Sequence, residues 1–186
     1  MSRNVALSIG TSLGNKLIGH NHDNAQQRLQ AIVDHLSESN WIHLLNCSAT
    51  YLTRAWGNPR AGCYLNATLN VQSSLPPGTL LRRLLQLEFK HGRRRQRLRW
   101  NKRCLDIDIL LYGQQTINSK TLITPHRWMW QRDFVLYPLA SNPQSIAHSW
   151  QRRVQRSRLS MPKPVLTRPK PIAALIIDQP NINESL

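Results

Sequence analysis

The chain has 186 residues, and its 25 lysines and arginines outnumber its 9 aspartates and glutamates, which gives a formal net charge of +16. This length is typical of one domain, and 40% hydrophobic residues can bury a core, so a wholly disordered chain is excluded. No apolar run reaches the ~18–20 residues that cross a bilayer, which excludes a transmembrane protein. The first residues enter a strand pattern directly, so no signal peptide is expected.

The positive charge is concentrated in two segments of the chain. Eight basic residues lie within 90–103 and seven more within 152–170. Such segments indicate an anionic partner, which can be a nucleic acid, a membrane surface or a phosphorylated small molecule. The three cysteines, Cys47, Cys63 and Cys104, are odd in number and widely spaced. They fit neither a disulfide framework nor a zinc site, and they predict a cytoplasmic protein.

The first half of the chain contains three strand patterns and one helix pattern. Alternation of apolar residues predicts a strand over Val5–Ile9, which ends in a glycine-containing turn. Apolar residues at helical spacing predict a helix over Asn24–Leu36. Trp41–Thr53 is predicted to be a strand, and the glycines and proline of Arg54–Gly62 predict a loop. Tyr64–Val71 alternates cleanly, so its apolar and polar side chains are expected on opposite faces of a strand.

The second half adds one helix and one strand before the pattern ends. A helix is predicted from Ser74 to Gly92, with its prolines in the first turn. Leu105–Gly113 is the clearest strand in the chain. The resulting order predicts an α+β protein with a ferredoxin-like antiparallel sheet and helices packed on one face. Residues 1–143 are expected to form this domain, and residues 144–186 a basic, proline-rich tail rather than a second domain.

Two aspartates in the last strand carry the strongest chemical signal. Asp106 and Asp108 alternate with apolar residues, so both carboxylates are expected on one face, about 6–7 Å apart along the backbone. This spacing lets their oxygens converge on one or two hard cations, and the adjacent basic segment could then neutralise a polyphosphate. Two other interpretations stay open. The aspartates can form surface ion pairs with Arg99 and Arg103, or the basic segment can bind nucleic acid with Trp100 as a stacking ring.

The residues around this strand resemble a known family. Arg99–Gly113 is similar to the signature R-W-G-P-R-T-L-D-L-D-I-L-L-Y-G of 6-hydroxymethyl-7,8-dihydropterin pyrophosphokinase, an enzyme of folate biosynthesis. Further stretches agree with the family in the same order, and the resemblance covers roughly residues 4–143. These stretches are Ile9–Gly14, Tyr64–Ala67, Leu87–Glu88 before Gly92–Arg93, Leu122–His126 and Arg132–Leu139.

The resemblance implies a reaction and a set of site residues. Members of the family transfer pyrophosphate from ATP to the pterin hydroxymethyl group, with two Mg²⁺ ions, on a ferredoxin-like fold. By resemblance, Asp106 and Asp108 bind the metals, and they act in catalysis together with Arg93 and Arg103. The residues that match ATP-side positions are Glu88, Arg95, Arg99, Trp100, His126 and Arg132. Those that match pterin-side positions are Thr53, Tyr64, Asn66 and Phe134.

The chain departs from the family pattern at several places, and three of these departures bear on turnover. Asn101-Lys102 replaces the Gly-Pro of the signature, Ser12 replaces an asparagine, and Arg54-Ala55-Trp56 stands in the pterin-side loop. These differences leave two alternatives open. One is a diverged paralogue with weak or no turnover, and the other is a nucleic-acid-binding protein that uses the basic loop and tail. The basic tail has no role in pyrophosphate transfer, so it predicts a second, anionic partner; no membrane partner is expected.

Overall fold

A computed structural model describes residues 2–14, 20–56, 62–91, 105–142, 146–161 and 171–174. The described strands are β1 (Arg3–Gly14), β2 (His43–Cys47), β3 (Ala49–Arg54), β4 (Cys63–Ser73), β5 (Asp106–Tyr112), β6 (Ile117–Asn118), β7 (Ile123–Thr124) and β8 (Pro171–Ala174). The described α-helices are α1 (His20–Ser37), α2 (Pro77–Lys90), α3 (Asp133–Ser141) and α4 (His148–Leu159).

Six strands form one antiparallel sheet in the order β5-β1-β4-β3-β8, and β2 also pairs with β4. This arrangement, with α1 and α2 in the predicted positions along the chain, confirms the α+β, ferredoxin-like expectation.

The strand predicted over Trp41–Thr53 is two strands that are separated at Ser48. Ser48 donates its N–H to the Thr68 carbonyl at 2.9 Å, and its Oγ accepts the Thr68 N–H at 3.0 Å. Both β2 and β3 therefore stay attached to β4.

The main core lies between one face of the sheet and helices α1 and α2. Both helices present apolar residues at helical spacing, and these pack against the inward side chains of β1, β4 and β5. Side chains at the centre of this layer are at most 1% exposed, and they include Leu7, Leu29, Leu69, Leu80 and Leu84. Burial of this apolar surface is the main force that holds the helices on the sheet.

Helices α3 and α4 build a second cluster that the sequence does not predict. It contains Ala6, which alternates with core residues of β1 and so lies on the opposite face of the sheet, together with Leu111, Leu136 and Val154. Helix α4 falls within the segment expected to be a tail. It packs against the body of the protein through Trp150 and Val154, which are its main apolar contacts. The division at residue 143 stays a prediction.

Two further expectations concern membranes and thiols. None of the helices described is long and apolar enough to cross a membrane.

Of the cysteines in the described ranges, Cys47 and Cys63 form no disulfide. Burial raises the pKa of the Cys63 thiol, and the nearby Arg54 offsets part of this effect. A thiol of this kind stays protonated and unreactive at neutral pH.

Candidate active site

The central strand β1 aligns polar residues of its two neighbours. Gly10 pairs with Asn66 of β4 on one side and with Asp106 of β5 on the other. Two residues earlier, Ser8 pairs with Thr68 and with Asp108 in the same way. Directly paired residues share a face of a sheet, and this face is opposite to the one that carries Leu7 and Ile9 into the core. The sheet register therefore gathers an amide and two carboxylates on one surface.

The carboxylates of Asp106 and Asp108 lie on that surface, as the alternation of β5 predicts. Both residues are half-buried, whereas Ile107 between them is 3% exposed. Glu88, at the end of α2, accepts a hydrogen bond from the Ile107 N–H with its Oε1 at 2.7 Å. Glu88 is 1% exposed, so it lies beneath the strand, although the resemblance implied a position that lines the nucleotide side. This contact fixes the backbone between the two aspartates.

Arg132, immediately before α3, connects Asp108 with two aromatic rings. Its Nη1 lies 3.8 Å from Asp108 Oδ2, and its side chain is 19% exposed. Its guanidinium lies 5.1 Å from the centre of the Trp56 ring and 5.5 Å from that of Phe134. Cation–π contacts at such distances favour a fixed position of the guanidinium. Arg132 thus holds a positive charge beside the carboxylate pair.

His126 is a neutral histidine close to these charges. Burial lowers its pKa to about 4, the positive charge of Arg132 adds to this effect, and Asp106 partly opposes it. Its Nδ1 accepts the N–H of Trp128 at 3.3 Å, so the proton of the neutral ring is on Nε2. His126 therefore offers one hydrogen-bond donor to an anion at neutral pH.

A cavity of about 710 Å³ lies next to His126. Its volume is in the range of small-molecule sites in proteins. It is lined by residues of β6 and β7, of the turn between them and of the segment that follows β7, namely Asn118, Ser119, Lys120, Ile123, His126, Arg127 and Trp128. Two of these side chains are cationic and several others are polar, which suits a phosphorylated ligand.

The pterin-side candidates lie on β3, β4 and α3. Asn66 is 5% exposed and donates from Nδ2 to Thr53 Oγ1 at 2.7 Å. Thr53 pairs with Tyr64, and Tyr64 and Asn66 share a face of β4, as the alternation predicts. Phe134 is the second residue of α3 and is half-buried under Arg132. The structure thus joins Thr53, Tyr64 and Asn66 directly.

Glycine is required at position 10 by the close approach of Asn66. A Cβ atom on Gly10 would lie 2.6 Å from Asn66 Oδ1, which is shorter than real contacts allow. The sequence marks Gly10 only as a turn residue after the first strand, and the cross-strand contact needs the register to be known. The absence of a side chain here lets the Asn66 amide lie over β1.

Trp56 is a site residue whose role the sequence did not reveal. It is 44% exposed, and its ring centre lies 6.2 Å from that of Trp128, which is 40% exposed. Together with its contact to Arg132, this position makes Trp56 a wall of the candidate site. The one signal in the sequence was an unusual residue in the pterin-side loop.

The remaining candidates lie outside the described residues. These are Arg93, Arg95, Arg99, Trp100 and Arg103, all from the basic segment before β5. Their assignments stay predictions.

A ferredoxin-like sheet with paired carboxylates beside an arginine and a neutral histidine has the features of a phosphotransfer enzyme. The model of the 7,8-dihydro-6-hydroxymethylpterin-pyrophosphokinase (HPPK) family matches residues 16–143. Among curated proteins, the 2-amino-4-hydroxy-6-hydroxymethyldihydropteridine pyrophosphokinase of Methylorubrum extorquens is 37% identical over 72% of this chain and 78% of its own length. The enzyme of the same name from Aquifex aeolicus is 31% identical over 77% of this chain and 82% of its own. The chain belongs to the HPPK family.

A solved structure agrees with the fold. The crystal structure of Plasmodium falciparum HPPK-DHPS with pteroate superimposes with a TM-score of 0.59 over 86% of this chain, at 13% identity. This chain spans 42% of the length of that protein. At this identity the likeness establishes the fold alone.

Proposed function

We propose that the protein transfers pyrophosphate from ATP to the hydroxymethyl group of 6-hydroxymethyl-7,8-dihydropterin and releases AMP and the pterin diphosphate. Membership of the HPPK family supports this reaction. The observation in this chain that carries it is the row of Asn66, Gly10 and Asp106 across three adjacent strands. The amide that we assign to the heterocycle and the carboxylate that we assign to the phosphates thereby lie on one face of the sheet, and their backbone positions are two strand spacings, about 10 Å, apart.

Asp106 and Asp108 are the residues that would hold Mg²⁺. Within the described ranges, no three or more His, Cys, Asp or Glu side chains come together. A pair of carboxylates suits magnesium, which is commonly bound by one or two carboxylates plus substrate phosphates and water. We assign two Mg²⁺ ions to this pair on the resemblance to the family. When bound, they neutralise phosphate charge and lower the pKa of the substrate hydroxyl.

The side chains of the protein act mainly by positioning and by charge. Arg132 supplies a fixed positive charge near Asp108, and His126 donates from Nε2 to a phosphate oxygen. Arg93 and Arg103 add further positive charge, by resemblance. The carboxylate of Asp106 or Asp108 accepts the proton of the attacking hydroxyl.

The pterin is bound by residues of β3, β4 and α3. The Asn66 amide, oriented by its hydrogen bond to Thr53, reads the polar edge of the heterocycle. Tyr64 and Phe134 stack on its faces, which is the arrangement aromatic rings favour. A cytoplasmic site of action, expected from the cysteines, agrees with ATP as the donor.

Release of AMP from ATP in the presence of the pterin tests this proposal. The double variant Asp106→Asn/Asp108→Asn is expected to lose at least a hundredfold in kcat, because it removes both carboxylates while keeping their size. The matched control is Asp34→Asn/Glu38→Gln, which removes two exposed acids, one in the last turn of α1 and one just after it, and should turn over like the wild type. Turnover by the Asp106/Asp108 variant at the wild-type rate would exclude the metal assignment. A wild-type protein that binds both substrates but forms no AMP would identify it as a diverged paralogue.

A further inference from the structure

The outer face of α4 is basic, and none of its residues is among those assigned to pyrophosphate transfer. Three arginines and two serines of this helix line a depression of about 440 Å³, here called the α4 groove: Ser149, Arg152, Arg153, Arg156 and Ser157. The three arginines are exposed. The helix lies outside the residues that the HPPK family model matches, which end at residue 143.

The α4 groove stands on a fixed support. Val154, on the inner side of α4, is 1% exposed and packs in the second apolar cluster. Trp150 donates from Nε1 to the Gly113 carbonyl at 3.2 Å, and Gln155 donates from Nε2 to the Ala140 carbonyl at 3.1 Å. The Arg153 guanidinium lies 4.2 Å from the centre of the Trp130 ring. The arginines are therefore presented from a rigid helix rather than from a loose tail.

The charge of the α4 groove is not balanced within the sequence around it. No acidic residue occurs between Asp133 and Asp178. Arg152 and Arg156 are one turn apart, and like charges at this spacing destabilise a helix. A bound anion would relieve this repulsion, and guanidinium groups beside serine hydroxyls are the donors that phosphate oxygens accept most readily.

The architecture discriminates between two sources of phosphate. A helix that binds a membrane surface inserts its apolar face among the lipids. Of the apolar side chains of α4, Val154 is buried and Trp150 is partly buried against the second apolar cluster, which leaves Leu159 as the exposed apolar residue of this helix. The phosphates that repeat along a nucleic-acid strand instead match the arginines that repeat along α4. One of these arginines, Arg153, lies over aromatic rings. We propose that the α4 groove binds the phosphate backbone of a nucleic acid, without regard to base sequence.

Fluorescence anisotropy with the full chain tests this proposal. The probe is a labelled oligothymidylate of about 20 nucleotides, titrated from about 50 to about 300 mM salt. The variant Arg152→Gln/Arg156→Gln removes two phosphate contacts, so the slope of log K against log salt should become shallower by about 1.4, at about 0.7 per contact on single strands. The matched control, Arg82→Gln/Arg83→Gln, removes two exposed arginines from α2 and should keep the wild-type slope.

Two parallel measurements complete the test. AMP release by the α4 variant should equal that of the wild type, because neither arginine belongs to the transfer site; this activity reports folding and is independent of the nucleic-acid result. Vesicles of phosphatidylcholine with about 30% phosphatidylserine measure lipid binding. Any of three results would overturn the proposal. These are an unchanged salt slope in the α4 variant, an equally reduced salt slope in the α2 control, and binding of the protein to vesicles but not to the oligonucleotide.

Discussion

Replacing Gly10 by alanine should damage pterin binding selectively. The new Cβ would lie 2.6 Å from Oδ1 of Asn66 and 3.8 Å from the Leu65 carbonyl oxygen. The amide must therefore retreat by about 0.8 Å to reach an ordinary contact of 3.4 Å. It cannot do so freely, because Asn66 is 5% exposed and its Nδ2 is bonded to Thr53 at 2.7 Å.

The free-energy cost of Gly10→Ala follows from the interactions that the Asn66 amide loses. Displacement breaks or bends a buried hydrogen bond and misaligns the amide for the pterin edge, which costs about 1–3 kcal/mol. Since 1.4 kcal/mol is a factor of ten, we expect the Kd for the pterin to rise roughly five- to 150-fold. The affinity for Mg-ATP should change much less, because the contact with Asn66 lies on the side of β1 that we assign to the pterin.

Isothermal titration of pterin into protein saturated with a non-hydrolysable ATP analogue measures this effect. Thermal unfolding, recorded in parallel, separates loss of binding from loss of fold. Gly78→Ala is the matched control, since a Cβ there meets nothing within 4 Å and alanine favours the helix. Pterin binding by Gly10→Ala at the wild-type Kd would refute the role given to the Gly10–Asn66 contact.

Two further predictions concern the second half of the site. Glu88→Ala should lower the free energy of unfolding by about 2–4 kcal/mol in urea titrations and raise the Mg²⁺ concentration needed for half-maximal activity, because the Ile107 N–H loses its buried acceptor. Glu88→Gln should recover most of the stability and most of the Mg²⁺ affinity. Equal stability of the wild type and the two variants would contradict the anchoring role of Glu88. His126 should stay neutral from pH 5 to 8 in NMR titrations, and Arg132→Gln should raise its pKa above the value of about 4. Because its folded pKa lies below the unfolded value of about 6.5, stability should fall as the pH drops from 6.5 towards 4; a His126 titration near pH 6.5 in the wild type would be inconsistent with this burial.

Local patterns in the sequence predict the strands and helices that carry clear periodicity. The alternation in β4 and β5 puts Asn66 and Asp108 on the polar faces where they are found. The break at Ser48 has no such signal, because the serine is distinguished only by its bonds to a strand distant in sequence. Helix α4 was not predicted because only a few apolar residues, mainly Trp150 and Val154, make its contacts with the protein. Its many arginines make the composition of this segment similar to that of a disordered tail.

The candidate site depends on information that a single chain sequence does not contain. Which residue of β1 faces Asn66 is set by sheet register, and a shift of one residue would reverse every side chain of the strand. The proximity of Arg132 to Asp108 depends on how α3 docks on the sheet. The burial of Glu88 likewise arises from the angle at which α2 ends beneath β5.

The row of Asn66, Gly10 and Asp106 across β4, β1 and β5 means that the sheet sets the backbone spacing between the two parts of the candidate site. Strand separation is set by backbone hydrogen bonds and varies by only about 0.2 Å between sheets. The spacing of the backbone positions that carry the groups assigned to the two substrates is therefore encoded in main-chain geometry, and it exists before either substrate arrives. Much of the entropy of alignment is thus lost once, during folding, instead of at every catalytic cycle.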